Sequence, residues 1–154
     1  MESNLEHMWK VKEYVSQYIQ FADTKAGLII ALSTLNIALL VLLPGEILTW
    51  EILLILLSLI PIAVSLFYAI QCIKPRTTSP SNNSIFWGNI AKYRNYDDYK
   101  KVVDQADKLE DLQKQVFEIS KIAQEKYRCI ERSVESQKYG LIIFWVIILI
   151  IRLF

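Results

Sequence analysis

Residues 52–73 read ILLILLSLIPIAVSLFYAIQCI, 22 residues in a row without a charged side chain. An α-helix rises about 1.5 Å per residue, so a run of this length can cross the roughly 30 Å hydrocarbon core of a bilayer. Pro61 lies inside the run, where it is expected to bend the helix without ending it. The stretch therefore predicts a membrane-spanning helix.

Two further apolar runs predict two more spans. Residues 26–43 contain no charge, and the Pro44–Gly45 pair that follows is a turn signal, so this run and 52–73 are expected to form a helical hairpin. The third span is placed at 139–154, with Lys138 and Arg152 near opposite interfaces. The alternative for this run is a re-entrant or surface-lying segment, but a surface helix would carry a polar face that this run lacks.

The composition agrees with a small membrane protein. Apolar residues make up 53% of the chain, and the mean hydropathy is +0.28. The formal charge of +1 argues against binding of a nucleic acid polymer, which usually needs a basic excess. One His and two Cys exclude a zinc site with local ligand spacing and a disulfide scaffold.

The placement of Lys and Arg predicts the orientation. The loop at 44–51 has neither residue, whereas segment 74–138 has 13 of them. Because positive charges concentrate on the cytoplasmic side, the arm at 1–25 and segment 74–138 are expected in the cytoplasm.

Two cytoplasmic helices are expected to continue into the spans. Ser3 to Glu6 form a capping-box pattern that begins the arm helix. Asn95 is a candidate cap for a second helix, and apolar residues at a helical period without Pro or Gly predict one long amphipathic helix over 97–139. The predicted fold is an all-α membrane protein with a two-span hairpin, a long cytoplasmic amphipathic helix and a third C-terminal span, in one domain over 1–154.

The chain lacks the patterns of catalytic chemistry. It has no Gly-rich phosphate loop, no nucleophile elbow, no metal-binding motif and only one His for any triad. The uncharged runs at 26–43, 52–73 and 139–151 hold no Asp, Glu, Lys, Arg or His for proton relay. We therefore expect neither an enzyme nor a secondary transporter, and no catalytic residue, metal or cofactor.

Small residues recur at helical spacing in the first two spans. Such faces allow close helix approach in lipid, either within the hairpin or between copies of the chain. In a homo-oligomer, Ser33 and Asn36 would be able to line a wet path. The two faces consist of Gly27, Ala31, Thr34 and Ala38, and of Ser58, Ser65, Ala69 and Cys72.

Segment 74–101 mixes basic and aromatic residues. This composition suits a nucleotide pocket, because cations pair with phosphate and aromatic rings stack on bases. It equally suits the headgroup region of an anionic leaflet.

Four short stretches carry a resemblance to a known family. The chain resembles the transmembrane effector family of Pycsar antiphage systems. The stretches are FADTKAG at 21–27, IFWGNIA at 85–91, YDDY at 96–99 and ISKIAQEKY at 119–127.

This resemblance implies a role in antiphage defence. The family member would be a multi-pass protein of the bacterial inner membrane, activated by cyclic CMP or cyclic UMP from a partner cyclase. It would then impair the membrane, so that the cell dies or stops growing. Two alternatives are a ligand-independent holin-like or toxin-like protein and a structural adaptor whose long helix recruits a soluble partner.

The matching stretches also suggest ligand-binding residues. Lys25, Lys126, and Arg128 or Arg94 would meet the cyclic phosphate. Trp87 or Tyr127 would stack on the base, and Asp23 or Asn89 would read a base edge or a ribose hydroxyl. The alternative for Asp23 and Lys25 is a helix-surface ion pair at the membrane boundary.

Overall fold

The computed structural model describes residues 2–41, 49–76 and 84–153, and its regular elements within these ranges are α-helices. Three of them are long and apolar enough to cross a membrane, which confirms an all-α membrane protein with three spanning segments. The Pro44–Gly45 turn lies outside the described residues. The helices are α1 (Glu2–Val41), α2 (Thr49–Ile73), α3 (Trp87–Ile90), α4 (Tyr96–Gln105) and α5 (Lys108–Leu153).

The long amphipathic helix begins later than the sequence predicted. Asn95 does cap a helix, since its Oδ1 accepts a hydrogen bond from the Asp98 N–H at 2.9 Å. That helix, however, is α4, which ends at Gln105, and the expectation of one helix over 97–139 was wrong. From Lys108 onward α5 continues unbroken into the third apolar run, as expected.

The break is caused by a capping residue rather than by Pro or Gly. Ala106 has an extended backbone, with φ −76° and ψ 139°. Asp107 Oδ1 then accepts hydrogen bonds from the backbone N–H groups of Leu109 at 2.9 Å and Glu110 at 3.2 Å. These N–H groups would otherwise lack partners at a helix start, so Asp107 favours a new helix over continuation of α4.

The chain forms two compact units. The arm unit comprises Met1–Phe21 and Pro75–Glu125, and the bundle unit comprises Ala22–Lys74 and Lys126–Phe154. In the arm unit, the Ser84 N–H and Oγ donate to Asp111 Oδ2 at 2.8 and 2.6 Å, and the Tyr99 hydroxyl donates to the Ser84 carbonyl at 3.3 Å. These bonds join the segment before α3 to both α4 and α5.

Small side chains bring the helices of the bundle unit together. The face of α2 that contains Ser58, Ser65, Ala69 and Cys72 is buried, as intramolecular packing requires. A Cβ on Gly140 of α5 would lie 2.8 Å from Ile62 Cγ1 and 3.3 Å from the Ile62 backbone nitrogen. The backbones of α5 and α2 therefore approach closely at this glycine.

The small-residue face predicted for α1 is on the outside of the bundle unit. Its four residues, Gly27, Ala31, Thr34 and Ala38, are all exposed. α1 packs through the opposite side instead, where positions three or four apart are buried. These buried positions are Ala22, Ala26, Ile29, Ser33 and Asn36.

Candidate functional site

A buried lysine joins all three helices of the bundle unit. Lys126, on α5, has a side chain only 5% exposed. Its Nζ donates to Asp23 Oδ1 on α1 and, at 2.6 Å, to the Cys72 carbonyl on α2. A buried ammonium group is stable only when its donors are paired, so these two acceptors allow a charge to remain in the interior. The same unit has a buried apolar cluster that consists of Ala22, Ala26, Ile29, Ala69, Cys72 and Ile130.

The ion pair reaches the surface on the side of Asp23. The Asp23 side chain is 38% exposed, much more than that of its partner. Beside it, Lys25 Nζ lies 5.7 Å from the centre of the Tyr127 ring, a cation–π distance. The surface around the pair thus contains the Asp23 carboxylate, the Lys25 ammonium group and the Tyr127 ring. The Lys126 ammonium group is buried beneath it.

The structure therefore brings four of the predicted ligand residues together and separates others from them. Asp23, Lys25, Lys126 and Tyr127 form one cluster, which we call the Lys126 cluster. Arg128 is exposed on α5 in the same unit.

The remaining predicted residues belong to the arm unit. Asn89, on α3, is buried, and its Oδ1 accepts a long hydrogen bond of 3.5 Å from Lys92 Nζ. Arg94 is exposed in the turn before α4. Trp87 begins α3, but its side chain lies outside the described residues. The arm unit is thus a second region in which predicted ligand residues occur.

The arm unit also has a cavity of about 240 Å³ that sequence reasoning missed. It is bounded by Leu5 and Trp9 of α1, by Tyr99 and Val103 of α4, and by Lys108 at the start of α5. A second cavity of about 530 Å³ lies around the helix break at Ala106. In the sequence, Tyr99 is one of several aromatic residues in segment 74–101, and the capping ability of Asp107 is the local signal for the helix break.

One contact of the Lys126 cluster had no signal in the sequence. The acceptor on α2 is the backbone carbonyl of Cys72, and every residue carries such a group. Only the packing of α2 against α5 selects this carbonyl as the partner of Lys126.

Residues 7–152 match the Pycsar effector protein domain, which spans both units of the chain. The chain belongs to the Pycsar effector family. The resemblance carried by the four short stretches is thereby confirmed, and this Pycsar effector is a multi-pass membrane protein of antiphage defence. Membership implies a cyclic nucleotide signal from a cyclase. No curated protein and no solved structure matches the chain.

Proposed function

We propose that this Pycsar effector is activated by a cyclic pyrimidine mononucleotide, cyclic CMP or cyclic UMP, and then impairs the bacterial inner membrane. The outcome is cell death or growth arrest, without catalysis by the effector. The observation that carries the proposal is the buried Lys126, which holds α1 and α2 to α5 through two hydrogen bonds. An anion that competes for this lysine acts directly on the packing of three membrane-spanning helices.

The chemistry of a cyclic nucleotide fits the Lys126 cluster. A cyclic phosphate is an anion with acceptor oxygens, so it competes with the Asp23 carboxylate for Lys126 and pairs with Lys25 or Arg128. The Tyr127 ring is suited to stacking on the base. Movement of Lys126 away from Asp23 and Cys72 removes polar contacts between helices, and a ligand that prefers the loosened packing shifts the population toward it.

The arm unit contains a second set of proposed ligand residues. Arg94 is proposed for the phosphate, Trp87 for stacking on the base, and Asn89 for a base edge or a ribose hydroxyl. Asn89 is suited to this role because its amide carries both donors and an acceptor in a largely buried position.

We also propose where the effector lies in the cell and how it assembles. The arm and segment 74–138 face the cytoplasm, where a cyclase releases its product, because that segment holds most of the Lys and Arg. The effector is proposed to act as a homo-oligomer in the lipid bilayer and to bind no nucleic acid polymer.

Calorimetry on the full-length effector in detergent tests ligand activation. Heat is expected with cyclic CMP or cyclic UMP, and Lys25→Ala is expected to weaken binding at least tenfold because the partly exposed cation of the Lys126 cluster is lost. Lys121→Ala, on an exposed face of α5 in the arm unit, is the matched control and should bind normally. If neither cyclic CMP nor cyclic UMP gives heat, ligand activation is refuted.

Expression without a cyclase separates the proposal from the ligand-independent toxin. The proposed effector leaves growth and membrane potential unchanged until a cyclase is co-expressed. A ligand-independent toxin kills cells even without the cyclase. A structural adaptor leaves the membrane potential unchanged even when the cyclase is co-expressed.

A further inference from the structure

Two sets of hydrogen bonds establish which residues of the three spanning helices lie at the same depth. Between α2 and α5, Ser65 Oγ donates to the Ser133 carbonyl at 2.8 Å, and Ser133 Oγ donates to the Ser65 carbonyl at 2.7 Å. Between α1 and α5, Ser33 Oγ donates to Gln137 Oε1 at 2.8 Å. Residues near these contacts therefore share a level in the bundle unit.

Both levels lie well inside the apolar runs of α1 and α2. Ser65 is eight residues before the end of the run at Ile73, about 12 Å along the helix. Ser33 is seven residues after the start of the run at Ala26, about 10 Å along the helix. On α5, the same levels correspond to Ser133 and Gln137. The last turns of segment 74–138 would therefore enter the bilayer from the cytoplasmic side, before the third apolar run begins.

The outer surfaces of the three helices differ at these levels. α2 exposes Val64 and Phe67, and α1 exposes Leu32 and Leu35. α5 exposes one large apolar residue at these levels, Val134, but also four charged ones, namely Glu131, Arg132, Glu135 and Lys138. If the surfaces of α1 and α2 face lipid, the outer surface of α5 carries charges at the same depth.

These charges are poorly compensated within one copy. Among the described residues, neither Glu135 nor Lys138 has an ion-pair partner, and Arg132 lies 5.5 Å from the centre of the Tyr68 ring. Charged side chains at membrane depth almost always face a protein interior or a water-filled cavity, where they pair with one another. The outer surface of α5 is therefore expected to contact protein or water rather than lipid, and we call this contact its cover.

We propose that this cover is α5 of a second copy of the effector, and that the copies place these charges around a shared, water-accessible axis. The surface concerned, which we call the α5 outer face, contains acidic and basic residues within one or two turns of each other. It continues toward the C-terminus as exposed apolar residues at the same heptad positions. The α5 outer face consists of Arg128, Glu131, Arg132, Glu135, Lys138, Tyr139, Ile142, Val146 and Leu149.

Charge complementarity favours a second copy over any other occupant. Copies inserted with the same orientation are related by an axis along the membrane normal, so equal residues meet at equal depth. Glu135 of one copy then lies within about one helical turn of Arg132 and Lys138 of the next. Beyond these residues, spacing of seven between Glu135, Ile142 and Leu149 is that of a helix–helix seam.

The inference specifies the surface of the homo-oligomer in the proposed function, and it rests on that assembly but not on ligand binding. It also differs from a wet path lined by Ser33 and Asn36, because both residues are buried within one copy.

Disulfide cross-linking of the full-length effector in native membranes, without a cyclase, tests the surface. In a Cys72→Ala/Cys129→Ser background, Glu135→Cys is expected to give a covalent dimer under mild oxidation. Phe67→Cys, an exposed position near the same depth on α2, is the control and is expected to stay monomeric. Cross-linking of Phe67→Cys equal to or greater than that of Glu135→Cys, or none at either position, would overturn the proposal.

A charge exchange gives a second measurement on the same face. Glu135→Lys is expected to abolish the oligomer on a native gel, and the double variant Glu135→Lys/Lys138→Glu to restore it. If the Glu135→Lys variant keeps the oligomer, the pairing of Glu135 with Arg132 and Lys138 of the next copy is contradicted. An effector that cross-links at position 135 but gives no heat with either cyclic nucleotide refutes the proposed activation and keeps the interface, so the two failures are distinguishable.

Discussion

Lys126 on α5 donates a hydrogen bond to Asp23 on α1, and the two side chains differ sharply in solvent exposure, 5% against 38%. Loss of the ion pair should therefore cost more folding free energy at Lys126 than at Asp23. A buried ammonium group without a partner is costly, whereas a carboxylate at the surface is solvated. This asymmetry leads to a stability prediction that a symmetric surface ion pair would not give.

Removal of Asp23 should destabilise the effector more than removal of Lys126. Asp23→Ala leaves a buried ammonium group without its counter-charge, for an expected loss of about 3 kcal/mol. Lys126→Met leaves a partly hydrated carboxylate and removes one donor to the Cys72 carbonyl, for about 1 kcal/mol. Thermal unfolding in detergent measures both, with Lys121→Met as the control. Equal losses of stability in Asp23→Ala and Lys126→Met would show that Asp23 and Lys126 behave as a solvent-exposed ion pair.

The competition of a phosphate with Asp23 predicts a constitutively active variant. Asp23→Asn keeps the shape of the side chain but removes the charge that holds Lys126 in place. We expect cells that express it to lose membrane potential without a cyclase, whereas wild-type cells do not. A voltage-sensitive dye measures this effect, and immunoblotting of membranes confirms insertion. A correctly inserted Asp23→Asn that stays silent argues against the competition.

Two glycines in apolar helices should respond oppositely to the same substitution. Gly140→Ala places a methyl group against Ile62, including its backbone, for an expected cost of about 1–3 kcal/mol. Gly27→Ala meets nothing within 4 Å and should be neutral or slightly stabilising. Paired thermal melts in detergent test this difference, and similar melting temperatures for the two variants would show that α5 and α2 are not closely packed there.

The cap at the start of α5 should contribute measurably to the arm unit. Asp107→Ala removes the acceptor for two backbone N–H groups and should cost about 1 kcal/mol. Asp104→Ala, an exposed aspartate in α4, changes the charge equally and should have little effect. Amide hydrogen exchange at the first turn of α5 gives the most direct measurement. Unchanged protection in Asp107→Ala would mean that the break in the helix has another cause.

Much of the fold was predictable because lipid imposes a strong constraint on sequence. Residues 26–43 and 52–73 must satisfy every backbone group internally, so uncharged runs of their length are helices almost by necessity. The end of α4 was not predictable in this way. Apolar periodicity continues through Ala106, and a single Asp side chain decides that a new helix begins there.

The candidate site was only partly predictable for a similar reason. Lys25 and Lys126 belong to motif-like stretches, so a family resemblance pointed to them. It did not show that Lys126 is buried while Asp23 is partly exposed, since burial depends on what packs against each residue.

The amino-acid sequence by itself determined the helical class, the three apolar segments and membership of the Pycsar effector family, because hydrophobic length and local motifs are properties of neighbouring residues. Tertiary structure alone decided that a carbonyl on α2 accepts a hydrogen bond from Lys126 and that the small residues of α1 face outward. It also decided that charged residues of α5 lie at the same level of the bundle unit as exposed apolar residues of α1 and α2. These relationships depend on helix register. Register is set by contacts between residues far apart in the chain, such as Ser65 with Ser133, and no local pattern encodes them.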